Sequence, residues 1–507
     1  MPSLKQGSVL TETPGNIFLH NKRTTNKVSA RHLTHLLAAF LLIGLAYRVY
    51  QGAPFSDFAR THHVSTRVSI DQSALKPLSS PDLESFQQCS IKNLFDTDLY
   101  FLKDVGPVSF SEYQSRRDRL ANALVEDGAD AFLIEPGYTF KYYANVSQAE
   151  WEVWEPEERP FVMVVRPTIE PGSGKVVSNT TFLCPSFEAE RARLLSMPFA
   201  EPIQIIPWEE HWSPYATLRS SGIFEDLDHT PRLMVDEEMR DFIQRGFLQE
   251  GFDVIGLGGR VEAVRQTKSQ EEVDILRAVN TGTVEAVRQM RKCLYPGLTE
   301  NQIMEVLDNT IRAAEMEPFF DIVLFDENAS NPHGGTNGTN VLESETFVLI
   351  DVGAHLHGYS SDICRTFFPP FLKKPTVLHD LSPQLEKKLK VWDIVFEAQT
   401  ASIHQMRASA SAASVDLAAR GVITDAGYGE AFTHRVGHGI VIKAHESPYL
   451  NKGNTRTLLE RGMAFTSEPG IYLVDEFGVR HEDILLVQKN SDPILLTGER
   501  AQGPWDP

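Results

Sequence analysis

Two aspartates open the chemistry of this sequence. The stretch LIDVGAHLHGYSSDICRTFF, residues 349–368, sets Asp351 at the end of an apolar run and Asp362 eleven positions on, across a turn signal. Side chains alternate faces along a strand, and a hairpin carries that alternation through its turn. With a two-residue loop at His357-Gly358, Leu356 opposes Tyr359 and Gly353 opposes Asp362, so Asp351 shares a face with Asp362 as a diagonal neighbour. At that separation, roughly 7–8 Å between backbones, both carboxylates reach a common point. Such a pair either holds a cation or divides into one raised-pKa acid beside an ionised partner. Solvated strand-edge aspartates would be written the same way.

Later segments add donors. HRVGHGIVIKAHESP holds His434, His438 and His445, and Gly437 and Gly439 discourage a helix, so His434 and His438 share a face on an extended chain. FTSEPGIYL puts Glu468 directly before Pro469-Gly470, a turn signal that leaves its carboxylate at a strand end. In GVRHEDILLV, Arg480 and Glu482 stand two apart on one face of a strand. Oxygen donors with one imidazole suit Mn, Co or Zn better than copper or an iron–sulfur cluster. Asp351, Asp362, His438, Glu468 and Glu482 are enough for two divalent ions. Two such ions about 3.5–4 Å apart share a water, lower its pKa and stabilise the tetrahedral centre formed on attack at a carbonyl. Each fragment alone serves equally as a turn, a bend or a charged strand. Their order along the chain is what points to hydrolysis.

These residues need strands and helices to hold them. Tyr113, Leu120 and Leu124 recur at helical spacing, Gly128 stops that helix, and Ala131 to Ile134 form a short apolar strand. FKYYANV, RPFVMVVRP, TTFLCP and IQIIPW are further strand candidates, alternating with helical stretches such as FEAERARLLS. This pattern predicts an α/β domain over 108–258. GLGGR at 256–260 lacks the spacing of a dinucleotide-binding loop. An amphipathic helix over about 270–293 and a second one opened by Thr299, with Gln302 completing a capping box, begin an α+β domain over 259–507. Its strands are FFDIVLF, ETFVLIDVG, YSSDICRTFF, HGIVIKAH, MAFTSEPGIYL and VRHEDILLVQ.

Composition excludes some partners. A length of 507 residues with 42% hydrophobic and 23% charged residues allows a proper core in more than one domain. A formal net charge of -20 argues against nucleic acid, which needs a basic surface. Cys89, Cys184, Cys293 and Cys364 are too scattered for a disulfide framework or a zinc finger. Residues 1–31 carry Lys5, Lys22, Arg23, Lys27 and Arg31 against Glu12 alone and read as a basic cytosolic tail. The apolar run within 32–50 has no charge until Arg48 and reads as a transmembrane signal anchor, with a lumenal or extracellular body dictated by the basic flank; cleavage near Gly44-Leu45-Ala46 would instead give a secreted chain. Residues 51–107 lack a sustained period and read as a stem. Sequons at Asn145, Asn179, Asn328 and Asn337 all follow the anchor and fit a glycoprotein.

Taken together, LIDVGAHLHGYSSDICRTFF, THRVGHGIVIKAHESP, AFTSEPGIYL and GVRHEDILLV resemble the signatures of pita-bread metallopeptidases, the aminopeptidase P and Xaa-Pro dipeptidase (prolidase) group. RQTKSQEEVDILRAV resembles the opening of their catalytic domain. The likeness is close over about 259–500 and looser over 108–258, where it implies a creatinase-type N-terminal domain ahead of the pita-bread catalytic domain. It implies that Asp351 binds one metal, that Asp362 and Glu482 bridge both, and that His438 with Glu468 completes the other. Glu468 would be the general acid/base for a metal-bridging hydroxide, with His333 and His445 stabilising the tetrahedral intermediate and the proline-side carbonyl. His434, Tyr472 and Arg480 would line the substrate side, Arg480 holding a carboxylate in place. The implied activity is two-metal hydrolysis of Xaa-Pro bonds in proline-containing peptides, with Mn as the first expectation, Co or Zn as alternatives, and a homodimer. Aminopeptidase and dipeptidase remain open. The competing readings are a metal-free creatinase-like hydrolase and a non-catalytic peptide- or protein-binding relative, neither of which needs all five ligands.

Overall fold

The computed structural model describes residues 72–152, 154–375 and 381–507. The basic tail, the apolar segment at 32–50 and the stem up to residue 71 lie outside these, and among the described residues no helix is long and apolar enough to cross a membrane. The rest of the stem is not a loose connector. It forms a helix at Glu84–Asp96 whose Phe86 and Leu94 pack against Val279, Val287 and Ile311. Cys89 is disulfide-bonded to Cys293, 204 residues away, so two of the four cysteines that looked scattered in sequence are paired in space.

The N-terminal half is a mixed six-stranded sheet. Its strands β1 (Ala131–Ile134), β2 (Val162–Ile169), β3 (Val176–Pro185), β4 (Gln204–Trp208), β5 (Arg232–Val235) and β6 (Asp253–Gly256) lie in the order β4-β3-β2-β1-β5-β6. β1 is buried on both faces: Phe132 and Ile134 enter one apolar cluster, Ala131 and Leu133 the other, as expected of a central strand covered from both sides. The helix Phe110–Asp127 starts where the Ser109 hydroxyl caps the Glu112 amide and ends at Gly128, whose φ of 66° is the left-handed value glycine accepts freely. FKYYANV is helical, not a strand. Tyr138–Ala144 is capped by Asn145 at φ 56° and buries Phe140, Tyr142 and Tyr143, so its aromatic content reflects burial rather than β structure.

In the C-terminal half, the helices Gln270–Arg291 and Glu300–Ala313 both begin in capping boxes, Ser269 with Glu272 and Thr299 with Gln302. They cover one face of a sheet made of β7 (Glu317–Phe325), β8 (Val348–Leu356), β9 (Tyr359–Ser360) and β10 (Ile363–Phe367), in which β8 pairs with the other three. The helices Pro383–Gln405 and Ala412–Asp425 cover a second sheet, β12-β11-β13-β16-β17, built from β11 (Gly437–Gly439), β12 (Glu446–Leu450), β13 (Ala464–Ser467), β16 (Asp483–Leu486) and β17 (Ile494–Leu495). Between β13 and β16 the chain makes a hairpin of β14 (Gly470–Leu473) and β15 (Phe477–Arg480). An isolated bridge between Cys364 and Glu482 joins the two larger sheets. Each half of the body thus follows the expected class, α/β then α+β.

Candidate metal centre

The hairpin expected from parity is present. Leu356 pairs with Tyr359 and His355 with Ser360, and the same register resumes as Ile363 with Val352 and Cys364 with Asp351, which places Asp362 across from Gly353. His357 at φ 51° and Gly358 at φ 84° make the two-residue turn with both residues left-handed. A side chain at Gly358 would be strained by this φ, and its Cβ would also push aside the flexible end of Lys141, 2.6 Å away.

The second sheet supplies the other donors, with two departures from expectation. Only Gly437–Gly439 of HGIVIKAH is strand; the register slips between His438 and Gly439, and the chain bends back so that the His445 ring lies 4.2 Å from the His438 ring. Arg480 and Glu482 do not share a strand either. β15 ends at Arg480 and β16 begins at Asp483, so Glu482 sits where the chain crosses between sheets.

The five expected carboxylate and imidazole donors converge, and His445 joins them as a sixth. Asp351, Asp362 and Glu482 form one set, His438, Glu468 and Glu482 another, and Asp362, His438 and His445 a third, with the ligand atoms of each set within 4.8 Å of one another. Donors bound at about 2.1 Å to one divalent ion lie at most about 4.2 Å apart, so sets of this size suit a divalent ion with little adjustment, and because they overlap they are not three separate sites. Asp351 Oδ1 and Glu482 Oε1 are buried with no hydrogen-bond partner among the described residues, which a cation would satisfy. His438 directs Nδ1 to the Gly439 carbonyl at 3.1 Å, which leaves Nε2 facing Glu468 at 3.1 Å and Asp362 at 3.6 Å. That tautomer is the one a metal-binding histidine needs.

The electrostatics agree with the donor count. Burial and the charges of Asp351 and Glu468 push the Asp362 carboxyl well up, and burial with Asp362, Glu468 and Asp351 does the same to Glu482. Burial also raises Asp351, against the opposing pull of Arg480. Burial would raise Glu468 too, but its hydrogen bond to His438 and the neighbouring His438, His434 and Arg480 outweigh it and hold this carboxyl well below its ordinary range. Two bound divalent charges would favour ionisation of the other three.

Arg480 anchors Asp351 from behind. Its Nη2 donates to Asp351 Oδ2 at 2.5 Å and its Nη1 to the Tyr472 hydroxyl at 2.8 Å; Tyr472 in turn lies 2.7 Å from His434 Nε2, and His434 Nδ1 meets the Arg435 carbonyl at 2.7 Å. His434 and Tyr472, expected beside the substrate, are therefore engaged in a relay that orients Arg480. His333 is exposed; His445 is about half exposed (54%), and the desolvation of its packed side together with the His438 ring lowers it to about 4.

A model of metallopeptidase family M24 matches residues 274–489, and an uncharacterized peptidase of Schizosaccharomyces pombe is 39% identical over 435 residues, covering 85% of this chain and 91% of its own. The chain belongs to metallopeptidase family M24. Among solved structures, a dipeptidase from Pyrococcus horikoshii is similar at 30% identity with a TM-score of 0.61, over 76% of this chain and 98% of that one. A Xaa-Pro dipeptidase from Bacillus anthracis is similar at 25% identity with a TM-score of 0.59, over 76% of this chain and 98% of that one. The mixed fold is that of the family's pita-bread structures. The M24 chain described here is thus a peptidase by family, and its donor set suits divalent metal.

The motifs alone did not expose Arg435 and Tyr449, which stand beside this centre with the guanidinium 4.6 Å above the ring. Arg435 lies inside HRVGHG, but nothing in its spacing separates it from an ordinary strand arginine.

Proposed function

We propose that this M24 peptidase is an exopeptidase that hydrolyses Xaa-Pro bonds with two divalent ions, Mn before Co or Zn. The observation that carries this reading is the convergence of five donors into two sets that share Glu482, with Asp362 and His438 meeting again in a third set beside His445, and with two buried oxygens that have no hydrogen-bond partner among the described residues. Bound there, two divalent ions would polarise a scissile carbonyl and acidify water. Asp351, held by Arg480, and His438, held by the Gly439 carbonyl, keep fixed orientations toward them. Glu468 stays ionised and accepts a proton from the attacking water, then returns it to the proline nitrogen, which has none of its own and leaves only once protonated. His333 and His445 face solvent and donate hydrogen bonds to the carbonyl oxygen as charge develops on it. Selectivity for proline is supported by the similarity to a Xaa-Pro dipeptidase and a prolidase among solved structures.

The test is hydrolysis of Xaa-Pro dipeptides and tripeptides by the purified chain, after chelation and after Mn, Co or Zn is returned. Cleavage that requires metal and is lost in Asp362→Ala is expected. Folded, metal-loaded protein that cleaves nothing would leave the peptide-binding reading standing, and cleavage indifferent to chelation would favour a metal-free hydrolase.

For location we infer an N-terminal signal anchor with a lumenal or extracellular body. Support comes from the Cys89–Cys293 disulfide, a bond that persists in oxidising compartments, and from exposed sequon asparagines at 145, 179 and 337. Asn328 differs: it is half-buried and its Nδ2, the atom a glycan would occupy, donates to both Glu300 carboxylate oxygens, at 3.0 and 2.9 Å. Endoglycosidase treatment of the chain from eukaryotic membranes should lower its mass. A chain of unmodified mass would overturn this placement.

A further inference from the structure

We propose that Glu446 and Lys443 are positioning residues for His445, and that through them the N-terminal half fixes where this imidazole stands; the inference rests on the role given to His445 in the Xaa-Pro reading above. The ring lies at the end of a stretch, 441–445, that is neither helix nor strand. The first residues of that stretch are pinned to β9, just ahead of Asp362: the Ser360 amide donates to the Val441 carbonyl at 2.8 Å and the Ser360 hydroxyl to the Ile442 carbonyl at 2.6 Å. Around His445 itself the anchors are charges.

Two ion pairs bracket it. On one side Lys443 Nζ donates to Glu238 Oε1 at 2.6 Å and lies 3.5 Å from Glu237 Oε1. On the other, Glu446 Oε1 accepts from Lys268 Nζ at 2.6 Å, with both side chains almost fully buried. Lys268 stands between the helices Gly259–Gln266 and Gln270–Arg291, where one half of the body passes into the other, and its Nζ also donates to the Arg265 carbonyl at 2.7 Å. Arg265 donates in turn to Thr139 Oγ1 at 2.6 Å and lies 3.5 Å from Glu237, while the Thr139 hydroxyl donates to Asp236 Oδ1 at 2.8 Å. Both routes therefore end on the same three residues, Asp236, Glu237 and Glu238, directly after β5 of the N-terminal sheet.

What His445 touches shows why its position matters. Its ring packs 4.2 Å from the His438 ring and its Nε2 lies 3.8 Å from Asp362 Oδ2, with the rest of the side chain open to solvent. A backbone shift at 443–446 would carry the imidazole off the carbonyl oxygen and leave Asp351, Glu468 and Glu482, which belong to other segments, where they are. A displacement of about 1 Å at such a group costs up to about 100-fold in rate. The two pairs differ in strength, since one is half-exposed and the other buried, and this sets the size of effect each can have.

The experiment measures kcat, KM and metal content of the full-length, Mn-loaded chain on Ala-Pro. In parallel, peptide mass spectrometry reads the rate at which diethyl pyrocarbonate modifies His445 relative to the exposed His404. A half-exposed pair biases a local equilibrium by at most about 5-fold, so Lys443→Met should lower kcat by about 2- to 5-fold at unchanged KM, and Lys443→Arg should restore it. Lys268→Met combined with Glu446→Gln removes the buried pair without stranding a charge; there kcat should fall by about 10- to 100-fold with metal retained. Labelling of His445 should rise in both. In a His445→Ala background neither change should lower kcat further, whereas a merely structural role would lower it again. Equal losses in the two backgrounds, His445 labelling that does not move, or a fall in kcat matched by loss of metal would each overturn the assignment. Labelling needs no catalysis, so the two readings fail separately. A chain that cleaves no peptide yet shows faster His445 labelling in both variants would sink the Xaa-Pro reading and keep the positioning; Xaa-Pro cleavage with unmoved labelling would do the reverse.

Discussion

Glu482 and Asp351 are both buried carboxylates with an orphaned oxygen, yet their positions in the centre differ. Glu482 belongs to two donor sets, whereas Asp351 belongs to one. Removing a shared ligand should therefore disturb both ions, and removing a terminal ligand only one. After dialysis at low free metal, Glu482→Gln is expected to retain less than one equivalent and Asp351→Asn about one, read by elemental analysis on folded protein; equal losses would break the assignment of Glu482 as the shared ligand. Tyr472 tests the residues behind the ligands. Its hydroxyl touches Arg480 and His434 and no metal donor. Tyr472→Phe should lower kcat or metal affinity by about 10-fold while KM holds, as expected when a supporting hydrogen bond is lost. A change confined to KM would return Tyr472 to the substrate wall.

At the scale of elements, alternation and parity were enough to place Asp351 and Asp362 on one face, because a two-residue turn leaves little freedom in register. The helix start at Thr299 was equally legible, because a capping residue stood before an apolar period. Other features depend on distant partners and left no local mark. The Glu84–Asp96 helix is held by apolar contacts and a bond to Cys293, Tyr138–Ala144 is dense in aromatics for burial rather than pairing, and the bend after Gly439 that returns His445 to His438 follows from a register slip. A half-buried carboxyl on β7 gives a measurable signature of packing on this sheet. Burial and the nearby Asp308 raise Asp321 from 3.8 to about 6. A raised folded pKa contributes stability that is complete below about pH 4 and is lost as pH rises through 6, since the unfolded chain ionises freely. Asp321→Asn should therefore gain about 2 kcal/mol in urea unfolding at pH 8, after allowance for partial exposure, and almost nothing at pH 3.5. A gain that is the same at both values would show that the carboxyl does not titrate in this way.

Across the whole body, the two halves share one apolar cluster in which Tyr113, Leu120 and Phe132 meet Ile275, Leu276, Ile440 and Ile442. At its edge a polar knot crosses from one half to the other. Arg116, fully buried, reaches Glu272 at 3.2 Å, the Tyr359 hydroxyl at 2.5 Å and the Tyr142 carbonyl at 2.9 Å. Glu272 is also the capping-box acid of the helix Gln270–Arg291, and Tyr359 opens β9 three residues before Asp362. The knot therefore ties the N-terminal helix Phe110–Asp127 to the strand that presents a metal ligand. Burying this pair does not by itself establish a stabilising gain, because desolvation offsets the Coulomb attraction. Breaking it is another matter: Arg116→Met strands the Glu272 carboxylate in the interior, at a cost of about 3–5 kcal/mol. Removing that charge as well, in Arg116→Met with Glu272→Gln, should recover most of the loss, since what then remains missing is a set of ordinary hydrogen bonds worth about 1 kcal/mol each and the Arg116–Glu112 pair, whose carboxylate keeps Arg119 at 2.9 Å. Equilibrium unfolding of the two single variants and the double gives the coupling directly. Additive losses would mean that the two groups are stabilised by separate neighbours and that the knot does not join the halves. Strong coupling accompanied by a parallel fall in metal affinity would show that the N-terminal half takes part in holding Asp362 in place.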